Sequence, residues 1–136
     1  MLPLYITSGE PAGIGPDICL SLAERIDERP IVVLADINML RDRAKILNKN
    51  IEIIEYQQQA QSSAQGQLYV EHVSLNEDVV LGELNPQNSA YVLEQLRRSA
   101  DYAMQGQSVG VATAPVQKSV INDAGITFSG HTEYYQ

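Results

Sequence analysis

The chain holds one cysteine, no tryptophan, one phenylalanine and two histidines among its 136 residues. A lone thiol, Cys19, cannot close an intrachain disulfide, which fits a reducing, cytoplasmic compartment. The two histidines, His72 and His131, lie 59 positions apart and far from the cysteine, short of the three protein ligands a catalytic zinc takes. Basic residues are scarce: nine Lys and Arg face seventeen Asp and Glu, and the formal charge of −8 repels nucleic acid and anionic lipid. No apolar run approaches the roughly 18 residues of a membrane span. No cationic leader with an apolar core precedes the first strand-like segment. The expected partners therefore include neither nucleic acid nor membrane.

What remains is a chain of single-domain length that is 44% hydrophobic and can bury roughly two-thirds of its unfolded surface. Leu4, Tyr5 and Ile6 read as a buried strand that stops at a cluster of Ser, Gly and Pro over residues 8–16. Pro16 suits a first helical turn, and Ile18, Leu22 and Ile26 predict one apolar helix face ending near residues 27–30. Residues 31–34 form the next β-branched run. Asn38 then stands as a helix cap, with Met39, Leu40, Ala44 and Leu47 as the apolar stripe. A third strand is expected over residues 51–54, and a solvated loop over residues 57–67, where six of eleven residues are glutamine.

Residues 68–73 resume strand character, and Asn85-Pro86 predicts the start of the longest helix. Val92, Leu96, Ala100 and Ala103, with Leu93 and Met104 beside them, carry its period to a C-terminal cap at Gly106. Residues 109–113 close the series as another strand. Alternating strand and helix with continuous apolar strands predicts an α/β layer built on a parallel sheet. Nothing marks an internal domain boundary, and the aromatic end at Tyr134-Tyr135 without a closing helix reads as a cut.

Ligands of such sheets gather beyond the carboxyl ends of the strands, which directs attention to the loops after Thr7, Ala35 and Thr113. The first, Thr7-Ser8-Gly9-Glu10-Pro11-Ala12-Gly13-Ile14-Gly15-Pro16-Asp17, is either an anion cradle or a tight strand-to-helix turn. It lacks the Gly-Lys-Ser/Thr of a P-loop, and Ile18 stands where a dinucleotide fingerprint has its third glycine. The second, Thr113-Ala114-Pro115-Val116-Gln117-Lys118, offers Lys118 as an anion ligand or as a solvated surface lysine. His131, Thr132 and Glu133 give an imidazole, a hydroxyl and a carboxylate in succession. Neither Ser8 nor Ser129 lies in a Gly-x-Ser-x-Gly elbow. A carboxylate site for magnesium stays open. Cys19 is read as packing, and His72 is given no role.

Taken together, three segments resemble the 4-hydroxythreonine-4-phosphate dehydrogenase family of pyridoxal phosphate biosynthesis. They are residues 6–17, residues 113–118, and Ile121-Asn122-Asp123-Ala124-Gly125-Ile126 leading into Gly130-His131-Thr132-Glu133. Gly13-Ile14-Gly15-Pro16-Asp17 is also similar to the turn of the wider isocitrate and isopropylmalate dehydrogenase group. The resemblance implies a three-layer α/β/α fold of that group, mostly parallel and truncated, with residues 1–136 as its N-terminal part. It implies NAD- or NADP-dependent oxidation of 4-phosphooxy-L-threonine to a β-keto acid that decarboxylates to 3-amino-2-oxopropyl phosphate.

The same resemblance implies His131 and Thr132 as substrate-binding residues. It also implies a homodimer that builds its active site from both subunits, and a divalent metal (Zn, Mg or Co) held by histidines beyond the point matching Gln136. A fragment of this length is expected to be inactive alone. The resemblance carries no role to Glu10 or Lys118. The family often has Gly-Pro-Val-His-Lys-Gly where this chain has Ala114-Pro115-Val116-Gln117-Lys118-Ser119, so Gln117 receives none either. Competing expectations are a phosphate acetyltransferase-like enzyme and a non-catalytic phosphate-binding α/β module. A receiver module would need an aspartate where Glu55-Tyr56 follows the third strand. The expected site is a single crevice lined by the turn at Gly9 and by His131.

Overall fold

The computed structural model describes residues 2–24, 30–57, 65–75, 88–108 and 110–113. Five strands and three α-helices follow one another as β1 (Leu4–Thr7), α1 (Gly15–Ser21), β2 (Ile31–Ala35), α2 (Ile37–Ile46), β3 (Glu52–Glu55), β4 (Gln67–His72), α3 (Ser89–Met104) and β5 (Gly110–Thr113). A 3-10 turn, Leu22–Glu24, extends α1. The strands pair in the order β3-β4-β2-β1-β5, and every pairing is parallel. This is the α/β architecture with a parallel sheet that the sequence predicts. Among the described residues no helix is long and apolar enough to cross a membrane.

The helices cover both faces. Steps β1 to β2 and β2 to β3 run toward one edge, whereas β4 to β5 runs toward the other, and right-handed crossovers then place α1 and α2 opposite α3. Two consecutive residues of β4 confirm the split, because side chains alternate between faces along a strand. Glu71 accepts from Tyr102 and Arg98 of α3, whereas His72 Nδ1 accepts the first N–H of α2, from Ile37, at 3.1 Å. On the α3 face Tyr5 stacks on Tyr102 with ring centroids 4.6 Å apart, and Tyr56 meets Tyr5 edge-on. Leu20, Leu34, Leu40, Val70 and Leu96 are fully closed to solvent and mark the core.

Several local expectations shift. The apolar stripe assigned to α1 is rotated: Ile18 is 49% exposed, whereas Cys19, Leu20 and Ala23 face the core. The short helix with its 3-10 continuation turns these three inward, a choice that spacing alone does not distinguish from the i, i+4 set. Asp36, not Asn38, caps α2, its Oδ1 accepting the Met39 N–H at 3.0 Å. Leu47 lies past the helix and is partly exposed. In α3 the apolar face runs through Tyr91, Val92 and Leu96 but not to Ala103 or Met104, which are exposed. Asn85 and Pro86 lie outside the described residues. The end of α3 follows expectation: Gly106 takes φ +71°, its N–H reaches Ala103 O, and the Gln107 N–H reaches Tyr102 O, a Schellman closure.

Candidate functional site

Parallel pairing brings the carboxyl ends of β1, β2 and β5 side by side, with Thr7 in register with Leu34 on one side and Thr113 on the other. Two of the three loops singled out in the sequence therefore start next to each other, and the turn after β2 adjoins them. Lys118, His131 and Thr132 lie outside the described residues, so the geometry that can be stated is that of the β1–α1 turn and its supports.

That turn is held from both faces of the sheet. Gly9 adopts φ +74°, a conformation that favours glycine, and its N–H donates to Gln95 Oε1 of α3 at 3.1 Å. Ser8 Oγ lies 3.0 Å from Leu34 O and 3.3 Å from Tyr91 Oη, and the Asp36 N–H donates to that same tyrosine oxygen at 3.0 Å. Since Tyr91 Oη accepts from Asp36, its proton is available to Ser8, whose own proton has two acceptors in reach, Leu34 O and Gln95 Oε1 at 3.3 Å. The chain of hydrogen bonds thus joins the ends of β1 and β2 through α3. Burial pushes the Tyr91 phenol up, so it stays a neutral donor.

From the opposite face, the nearly buried guanidinium of Arg43 on α2 reaches Pro11 O at 2.5 Å, Gly13 O at 3.2 Å and Asp17 Oδ1 at 2.8 Å. Asp36 adds a second bond, its Oδ2 accepting the Leu75 N–H at 2.9 Å, which ties the end of β4 to the cap of α2. Sequence reasoning missed Arg43, Tyr91 and Gln95, since their partners lie 26 to 87 positions away and no local motif announces them.

These contacts favour the tight-turn reading of the segment. The Ser8 N–H goes to Leu34 O, Gly9 to Gln95, Ala12 to Glu10 Oε1 and Gly13 to Glu10 O. With four of its N–H groups engaged within the protein and Asp17 in the first turn of α1, the segment is built as a tight strand-to-helix turn. Glu10 is buried, accepts among the described residues only the long 3.5 Å bond from Ala12, and has its carboxyl raised above the ordinary range by burial.

Two polar atoms stand apart. Thr7 Oγ1 and Gln95 Nε2 are buried and have no hydrogen-bond partner among the described residues. For a divalent cation the fit is poor: among the described residues no three His, Cys, Asp or Glu side chains converge. Cys19 is buried at 1% exposure, with its thiol pushed up to about 12, in keeping with a packing role. His72 is a structural acceptor at the start of α2.

Comparison with known proteins agrees with this architecture. The 4-hydroxythreonine-4-phosphate dehydrogenases of Pseudoalteromonas translucida and Vibrio cholerae are 48% and 46% identical, over 98% and 97% of the chain and 41% of their own lengths. A crystal structure of 4-hydroxythreonine-4-phosphate dehydrogenase from Klebsiella pneumoniae superposes with a TM-score of 0.86 at 30% identity, covering 98% of this chain and 43% of that one. The chain thus spans about 41% of the curated relatives it matches. A family model described as pyridoxal phosphate biosynthetic protein PdxA matches residues 27–136, and this chain belongs to that family.

Proposed function

We propose that the chain supplies part of an NAD(P)-dependent 4-hydroxythreonine-4-phosphate dehydrogenase of the cytoplasm, acting in pyridoxal phosphate biosynthesis. The observation that carries this reading is the 48% identity that runs along 98% of the chain to a relative of that name. The substrate is 4-phosphooxy-L-threonine. Oxidation of its secondary alcohol gives a β-keto acid, whose carboxylate leaves as carbon dioxide to yield 3-amino-2-oxopropyl phosphate.

The dinucleotide, when bound, supplies the hydride acceptor for the alcohol carbon. The chain's own residues do the holding. The crossed anchors of Arg43 and Gln95 fix the β1–α1 turn at the carboxyl edge of the sheet, a preorganised wall for the ligand crevice. His131 and Thr132 bind the substrate through an imidazole and a hydroxyl, donors suited to an anionic, hydroxylated molecule. Zn, Mg or Co would take its ligands from the portion of the relatives that this chain does not span, and the active site would be shared between two subunits of a homodimer. By itself the 136-residue chain is expected to be inactive.

A chimera joining this chain to the remaining portion of one of the longer relatives tests the reading. With 4-phosphooxy-threonine, NAD and a divalent ion it is expected to reduce NAD, and His131→Ala or Thr132→Val is expected to raise KM. A folded but inactive chimera would refute the proposal, and metal-dependent NAD reduction by the isolated chain would refute its incompleteness.

A further inference from the structure

The aromatic side chains of this protein are almost all phenols: seven tyrosines stand against one phenylalanine and no tryptophan. Four of them meet on the α3 face of the sheet. Tyr5 stacks on Tyr102 with ring centroids 4.6 Å apart, Tyr56 meets Tyr5 edge-on at 6.4 Å, and Tyr69 meets Tyr56 edge-on at 6.3 Å. Tyr5 is buried, whereas Tyr56, Tyr69 and Tyr102 are partly open to solvent. Packing asks only for rings, and phenylalanine would supply them without a hydroxyl. The hydroxyl of Tyr102 has a defined partner, donating to Glu71 Oε2 at 2.7 Å, and the Glu71 side chain is only 14% exposed. Arg98 faces the same oxygen at 3.4 Å and also donates to His72 O and to Glu94 Oε1, so a fixed cation stands beside the pair.

A phenol that loses an electron becomes a strong acid, so its oxidation is easiest where a base within hydrogen-bond reach already holds the O–H. Burial, aided by the bond to Glu71, pushes the Tyr102 phenol up to about 12, so the proton is in place at neutral pH. We propose that Tyr102 and Glu71 form a one-electron oxidation site, on which a radical formed at any ring of the cluster comes to rest. A one-electron oxidant takes an electron from the Tyr102 ring and is itself reduced by one. The O–H bond of the phenol breaks, its proton bonds to Glu71 Oε2, and a neutral phenoxyl remains beside a neutral carboxylic acid. When the oxidant strikes Tyr69 or Tyr56 first, that phenol gives its proton to water. An electron from Tyr102, passed along rings no more than 6.4 Å apart, then restores it with a proton from water. The site needs no cavity and no movement of the β1–α1 turn, and it is independent of the dehydrogenase reading.

The test is flash-quench oxidation of the 136-residue chain by ruthenium(III) tris-bipyridine, with the rate of ruthenium(III) loss and the phenoxyl electron paramagnetic resonance spectrum as readouts. Tyr134 and Tyr135, which lie outside the described residues, are replaced by phenylalanine throughout so that neither takes the radical. In that background a single phenoxyl species is expected. Tyr102→Phe, which keeps the stacked ring, should abolish that species and slow oxidation about tenfold or more, the weight of a hydrogen bond to a charged group. Glu71→Gln keeps an acceptor for the Tyr102 hydroxyl but removes the base, and it should slow oxidation by a similar factor while the melting temperature shows the variant folded. A merely structural bond would leave both rates unchanged. A mixture of phenoxyls before substitution, or a spectrum and rate that survive Tyr102→Phe, would overturn the site, and an unchanged rate in Glu71→Gln would remove the proton acceptor on which it depends.

Discussion

Replacing Arg43 by methionine keeps most of the aliphatic stem and removes the guanidinium, which isolates what the clamp contributes. In the wild type this nearly buried cation donates to Pro11 O, Gly13 O and Asp17 Oδ1. Hydrogen bonds involving a charged group contribute about 1.5–3 kcal/mol each, and loss of one partner from a buried ionic site costs about 3–5 kcal/mol. The Asp17 side chain is 38% exposed and stays solvated when unpaired, so most of the loss arises at the two carbonyls. The expected destabilisation is about 3–5 kcal/mol, a large share of the ~5–15 kcal/mol that holds an ordinary domain.

In urea, with a slope of about 2 kcal/mol per molar, the unfolding midpoint should fall by roughly 1.5–2.5 M with the slope unchanged. Asp17→Asn should cost less than about 1 kcal/mol. Arg43→Lys should not restore the wild type, because one ammonium cannot span two carbonyls and a carboxylate. A loss below about 1 kcal/mol for Arg43→Met, or an equal loss for Asp17→Asn, would show that the clamp is not what holds the turn.

Three further outcomes follow from the titratable groups. Hydrogen bonds from Arg97, with Arg98 assisting, hold the Glu94 carboxyl down to about 2. Its contribution is therefore complete above the ordinary value of 4.5 and is lost as pH falls toward 2, so Glu94→Gln should flatten the acid limb of a pH–stability profile. Glu10 has the opposite sign, since burial raises its carboxyl. Its folded state holds the proton longer than its unfolded state, so stability falls as pH rises past 4.5, and Glu10→Gln should remove that decline in urea melts across the same range. Cys19, closed off and with its thiol pushed up to about 12, should resist a thiol reagent at neutral pH in the native protein and react on unfolding.

The parallel sheet was legible because its strands are continuous apolar runs, and such runs occur where both faces are covered. Residues 31–34 read correctly for that reason, residues 110–113 also pair as a strand although Ala112 and Thr113 are exposed, and Gly106 was recognised because a left-handed cap has a local residue preference. Where two local rules competed, the outcome was less secure. Asp36 and Asn38 are both good caps two residues apart, and only the Leu75 N–H, arriving from β4, fixes the choice by engaging the second oxygen of Asp36. Ile18 looked like core because isoleucine is apolar, yet a helix of seven residues can bury only one narrow stripe, and Cys19 and Leu20 occupy it.

The candidate site was legible in one half only. The turn itself announces its glycines and prolines, so its place could be read, but not whether it faces a ligand with its N–H groups or with something else. That question is answered by Gln95, Tyr91 and Arg43, whose sequence signatures are those of ordinary helix residues. A polar residue on the buried stripe of α3 breaks the apolar period at Gln95, and this interruption is the signal that could have found it. The break has a physical meaning. A helix that gives up a leucine-sized apolar side chain for an amide loses transfer free energy, and the Gly9 N–H and the Ser8 hydroxyl, both within reach of its oxygen, offset part of that loss. The nitrogen of Gln95 and the hydroxyl of Thr7 are left without partners among the described residues, so the polar choice at Gln95 is explained by its oxygen, which holds the β1–α1 turn against α3.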